Sequence, residues 1–142
     1  MNPGRGTKLV ACSRANAHAR LVSARAFLNT AELVATENVA GMANVAASLS
    51  VLAAIAASDA ICGAKLGQRY RGPEHASALE LLRLATPGES KPAATFQRVI
   101  ALKDDAHYGV IVVPADQVRT SLRQASALVR RAEECFVGGS SK

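Results

Sequence analysis

Tryptophan is absent from this chain, and two tyrosines and three phenylalanines hold aromatics to 4 % of its 142 residues. A core built without large rings must bring its backbones close, because small side chains fill little of the space between them. Cysteine is scarce as well: Cys12, Cys62 and Cys135 are odd in number, far apart and without any CxxC pair. That pattern offers neither a disulfide framework nor a zinc site, and it fits a reducing compartment. Charge of one sign never gathers, since the 17 basic residues are scattered from Arg5 to Lys142 with no run of five or six. The first twenty residues lack the apolar run of a signal peptide, so the expected location is the cytoplasm. Several signatures of chemistry are missing too. No GxGxxG or GxxxxGKS/T motif cradles a phosphate, no HExxH or Cys/His cluster holds a metal, and no GxSxG elbow presents a serine. Neither a metal nor a cofactor is expected.

What the chain has in abundance is alanine, about a fifth of all residues, within a 49 % hydrophobic composition. Alanine is the best helix former, and that apolar content is globular, so one all-α domain is expected. The net charge of +6 suits a polyanionic partner but equally describes a solvated basic surface. Residues 41–66 are apolar enough to raise the question of a membrane span. Asn44, Ser48, Ser50, Ser58 and above all Asp59 argue against it, and a buried bundle helix is the expectation, with no membrane partner.

Periodicity divides the chain into a loose lead over 1–13, a helical bundle over 14–136 and a loose tail over 137–142. A first helix over 14–37 carries Leu21, Ala24, Phe27, Leu28, Ala31, Val34 and Ala35 as one stripe. A second runs to residue 66 and is small and apolar around most of its circumference, as expected of a helix buried on most sides or lying in a homodimer interface. After the loop GQRYRGPEH, Pro73 is placed to open a third helix rich in leucine. TPGESKP is a linker, a fourth helix spans about 93–107, and Pro114 opens a fifth. The sum is an antiparallel bundle of four to five helices without a sheet.

Two stretches in this order, ASDAICGAKLGQRYRGPEHASALELL and ALKDDAHYG, resemble the HEPN domains of prokaryotes across residues 14–136. The likeness lies in an Ala-rich helix end, a Gly-containing loop, then His75 ahead of Leu79, Leu81 and Leu82. In the second stretch a basic residue precedes a His or Tyr, and a long amphipathic helix follows. The family's usual Arg is here Lys103, with three residues between it and His107 and four between it and Tyr108. The resemblance implies a metal-independent RNase whose basic residue and His meet across a dimer cleft, acting as the toxin of a toxin–antitoxin or defence pair. It therefore implies RNA and a cognate antitoxin protein as partners. Family members with a degenerate motif bind rather than cut, which leaves a catalytically silent dimeric module, taking a nucleotide, nucleic acid or partner protein, as the alternative.

The residues themselves support a site at the same place. Phe96, Val99, Ile100, Lys103 and His107 share one helical face, so an inner apolar stripe turns polar at its C-terminal end. Asp104 and Tyr108 form a second adjacent pair. His107 could act as general acid or base on a ribose hydroxyl, and Lys103 could stabilise charge on a phosphate. Equally, Lys and His are favoured in a last helical turn because they meet the free carbonyls and the dipole there. Arg69, Arg71 and His75 surround a loop where two guanidinium groups and a helix N-terminus could bind an anion; the plainer reading is a solvated loop with Tyr70 packed inward. Asp59 reads as a satisfied polar group on the bundle surface or at the dimer interface.

Overall fold

A computed structural model describes residues 8–37, 39, 41–103, 106 and 112–137. Ser13 starts the first helix: its hydroxyl accepts the Asn16 N–H at 3.0 Å, which satisfies one of the open donors of the first turn. Helix α1 (Arg14–Ala35) buries Ala17, Leu21, Ala24, Leu28 and Ala31, alternately four and three residues apart, on one side. Helix α2 (Met42–Leu66) begins after Gly41 at φ 90° and ends on Gly67 at φ 69°, both left-handed. Such a backbone suits glycine, and the second one turns the chain straight into a strand.

That strand, β2 (Gln68–Tyr70), pairs antiparallel with β1 (Leu9–Ala11), in the register Leu9 with Tyr70, Val10 with Arg69 and Ala11 with Gln68. The ribbon is the one departure from an all-helical chain among the described residues, and it corrects two expectations. Leu9–Ala11 is a strand rather than loose lead, and the start of GQRYRGPEH is its partner rather than loop. Three-residue strands carry too short an alternation to be heard over the surrounding polar residues.

Helix α3 (His75–Ala85) starts after Glu74, so Pro73 lies ahead of the helix rather than opening it. Helix α4 (Lys91–Ile100) has Pro92 in its first turn, where a missing N–H costs nothing. It ends earlier than the expected 107, since Ala101 and Leu102 form a turn. Helix α5 (Ala115–Glu134) follows Pro114 as expected. The described chain is thus an all-α bundle of five helices with a two-stranded ribbon at one end.

The bundle forms around α2, which packs against α1, α3, α4, α5 and β2. Every residue from 56 to 63 is buried, so at this level the helix has neighbours on all sides. Its alanines at 46, 47, 53, 54, 56, 57 and 60 are fully covered, which lets α1 and α5 lie close. Larger side chains fill what remains: Leu21, Ile61, Leu82, Phe96 and Leu128 are the biggest fully buried groups. Truncating one of these leucines to alanine would cost about 2–5 kcal/mol. Ser50 donates to the Ala47 carbonyl at 2.8 Å and lies 3.1 Å from the Ser121 hydroxyl, which stitches α2 to α5. By length and composition α2 could cross a membrane, but 72 % of its most apolar window is buried inside the bundle. The first half is less covered, and Val45, Ser48, Leu49, Leu52 and Ile55 remain half-exposed or exposed along one face.

Candidate functional site

Helix α4 buries Phe96 and Val99 and half-buries Ile100, the stripe expected to turn polar at Lys103. Lys103 is half-buried just beyond the C-terminal end of α4. Asp104, His107 and Tyr108 lie outside the described residues. Against this end of α4 lies a cavity of about 270 Å³, lined by Arg98, Leu102, Asp116, Gln117, Thr120, Ser121 and Gln124. A second cavity, of about 230 Å³, lies at the opposite end of the same helix pair, between Glu89, Lys91, Thr95, Leu128, Arg130 and Arg131 among others. Its one tight ion pair is Arg131 on Glu89, bidentate at 2.9 Å for each bond. That pairing holds the Glu89 carboxyl below its ordinary range, chiefly through the hydrogen bonds from Arg131.

The loop candidates separate. Strand alternation puts Arg69 and Arg71 on the side opposite Tyr70, which is buried in the core and accepts the Glu74 N–H on its hydroxyl at 3.3 Å. Arg71 is exposed, and its amide donates to the Lys8 carbonyl at 2.7 Å. Arg69 turns inward, with Nη1 3.5 Å from Asp59 Oδ2. His75 is half-exposed at the first position of α3.

Asp59 is 7 % exposed and holds two cations, Arg20 from α1 at 3.0 Å and Arg69 from β2. It is a satisfied polar group, as expected, but an interior one rather than a surface one. Burial pushes its carboxyl above the ordinary range, and Arg20 and then Arg69 pull it part of the way back. Cys12 and Cys62 lie in the same region, at 1 % and 2 % exposure. Burial raises both thiols, Cys62 to about 12, which keeps them protonated and unreactive at neutral pH. The cluster joins α1, α2 and the ribbon, and its chemistry is that of a structural lock.

Among the described residues no three His, Cys, Asp or Glu side chains are grouped so as to hold a metal ion. No protein-family model, curated protein or solved structure matches this chain.

Sequence reasoning missed Arg20 as the partner of Asp59. A carboxylate inside an apolar helix demands a cation, and Arg20, on the neighbouring helix, was legible as a candidate. It also missed the polar seam of Lys91, Thr95, Arg98, Gln117 and Gln124. Those residues lie at helical spacing beside the apolar stripes, where a sequence reads them as a solvated face.

Proposed function

We propose that this chain is a HEPN-like cytoplasmic module that acts on RNA, as the metal-independent endoribonuclease of a toxin–antitoxin or defence pair. The observation that carries the reading is the end of α4. Its buried stripe of Phe96 and Val99 leads to Lys103, a half-buried cation that follows Leu102, which lines a cavity with Arg98, Gln117, Thr120 and Gln124. The order of the five helices, with a long amphipathic α5 following that segment, agrees with the resemblance. In this reading Lys103 stabilises the negative charge that develops on the scissile phosphate, and His107 exchanges the proton with the ribose hydroxyl or the leaving oxygen. In the sequence Asp104 follows Lys103 and Tyr108 follows His107.

The active form is a homodimer. Much of the apolar circumference of α2 is already covered within the chain, so the reason for pairing narrows to its first half. There Val45, Leu49, Leu52 and Ile55 form an uncharged stripe around Ser48, and symmetric pairing of such faces is the commonest way to cover them. A cognate antitoxin would then bind the assembled dimer.

The second reading, a silent dimeric binding module, has one specific observation in its favour. Arg69 is drawn onto Asp59, so one of the two arginines of the loop serves the fold and not an anion. Controlled expression in a bacterial host separates the two. Growth arrest with the wild type that His107→Ala relieves supports the nuclease, whereas equal growth with both proteins hands the case to the silent module.

A further inference from the structure

The two cavities beside α4 lie end to end along the seam between α4 and α5. Lys91, Thr95, Arg98 and Leu102 lie four, three and four residues apart, a single face of the chain running from the start of α4 to the turn beyond it. Gln117, Ser121, Gln124, Leu128 and Arg131 lie four, three, four and three apart, a single face of α5. The two helices run antiparallel, since the N-terminal end of α4 meets the C-terminal end of α5 in one cavity and the reverse holds in the other. The eleven residue steps from Lys91 to Leu102 give a seam roughly 16 Å long at 1.5 Å per step. It runs from the Arg131–Glu89 clamp to the neighbourhood of Lys103.

We propose that the two cavities form one groove, a track for the phosphodiester backbone of single-stranded RNA that leads toward Lys103. The proposal rests on the RNase reading for its destination. Its own footing is the lining. Thr95, Ser121 and Leu128 are buried as a floor, while Lys91, Arg98, Gln117, Thr120 and Arg130 stand exposed along the rims. The acids at one end, Glu89 and Glu134, are both drawn to Arg131. Among the described residues Lys91, Arg98 and Arg130 enter no ion pair, and Arg130 is steadied instead by the Ser126 hydroxyl at 2.9 Å. Lys91 and Arg130 share one cavity and Arg98 lines the other, where Asp116 is also exposed; the cations outnumber that acid and suit phosphates, whose contacts supply sequence-independent affinity. A helical peptide is the poorer occupant. It would need a row of apolar pockets for its anchors, and the lining is polar for most of its length. Among the described residues no aromatic side chain lines the groove, so recognition there rests on the backbone.

The test uses a fluorescent oligouridylate of about twelve nucleotides, within the usual span of single-strand sites. Binding is followed by anisotropy across a salt series, with His107→Ala as the background so that the strand stays intact. The double variant Arg98→Ala/Arg130→Ala should weaken binding about tenfold or more. It should also flatten the slope of log K against log salt by about 1.4, two phosphate contacts at ~0.7 each. Arg83→Ala, on the exposed side of α3, should change neither. Wild-type affinity and slope in the double variant would overturn the track, as would the absence of any binding to the oligouridylate in the His107→Ala background. The two readings fail separately. Cleavage by the wild type with unchanged binding in the double variant removes the groove alone, while groove-dependent binding without cleavage or growth arrest removes the nuclease alone.

Discussion

Cys12 covers Gly63 so closely that a Cβ at position 63 would meet Cys12 Sγ at 2.5 Å and Ala17 Cβ at 2.7 Å. The approach is possible only because α2 has bare backbone at this level. Through it the chain entering α1, the C-terminal end of α2 and the ribbon come into contact, and the Cys12 amide donates to the Gly67 carbonyl at 2.9 Å. Asp59 lies one turn earlier on α2, where it collects Arg20 and Arg69.

Gly63→Ala should therefore destabilise the fold by about 1–2 kcal/mol, overpacking exceeding the small gain in helix propensity. Cys12→Ala removes the nearer obstacle, so adding it to Gly63→Ala should recover part of the loss. Gly41→Ala is the useful contrast, because its Cβ meets nothing within 4 Å and only the left-handed φ opposes it. Urea midpoints of the wild type, Cys12→Ala, Gly63→Ala, their double variant and Gly41→Ala decide the matter. Simple additivity of the Cys12 and Gly63 substitutions would show that the two do not touch.

Asp59 carries a pH prediction whose sign follows from burial. Its folded-state carboxyl is raised, so below the unfolded value near 3.8 its contribution is fully present, and that contribution is lost as pH rises through the higher folded value. The wild type should then gain stability relative to Asp59→Asn as pH falls from neutrality toward 4, in paired urea titrations. A relative loss over the same range would mean that Arg20 and Arg69 outweigh desolvation. Asp59→Ala should cost more than Asp59→Asn at every pH, since it leaves the two guanidinium groups without any acceptor there.

The thiols should separate in a simple titration with an aromatic disulfide reagent at pH 7.5. Cys135 is half-exposed at the end of α5, and it should react in the folded protein. Cys12 and Cys62 are covered and held protonated, so they should react only after denaturant is added. Rapid native modification of all three would contradict the packing around Gly63.

The helices were legible because their stripes are long. Leu21, Ala24, Leu28 and Ala31 repeat over enough turns of α1 to declare the buried side, and α5 reads as clearly through Val118, Ala125, Leu128 and Ala132. The ribbon was not legible, because its pairing of Val10 with Arg69 is a long-range event between segments that look like loop. Pro73 misled for a different reason. Tyr70 accepts the Glu74 N–H four residues on, a local side-chain bond that holds the loop past the proline before the helix begins. Of the candidate site, Lys103 and the stripe leading to it could be read directly. The groove of Lys91, Arg98, Gln117 and Gln124 could not, since polar residues at helical spacing mark a solvated face whether or not two such faces meet.

The last prediction concerns cleavage. If the α4 end is the catalytic site, the purified wild type should cut RNA in the presence of EDTA, because acid–base chemistry on His107 and charge stabilisation by Lys103 need no metal. His107→Ala should reduce the rate by about 10²–10⁴-fold, the usual contribution of a positioned acid or base. The thermal midpoint should stay within the range of a surface substitution if His107 serves the chemistry and not the packing. Lys103→Ala should lower both binding and turnover. Lys103→Arg should keep or raise activity, because the guanidinium fork matches two phosphate oxygens where an ammonium offers a single point of charge. These variants discriminate between roles as well as residues. If His107 merely capped a helix end, its loss would move stability and leave cleavage alone, and EDTA-resistant activity that survives His107→Ala would move the chemistry to another site. If Lys103 were only a dipole partner, Ala and Arg at that position would differ in stability and not in rate.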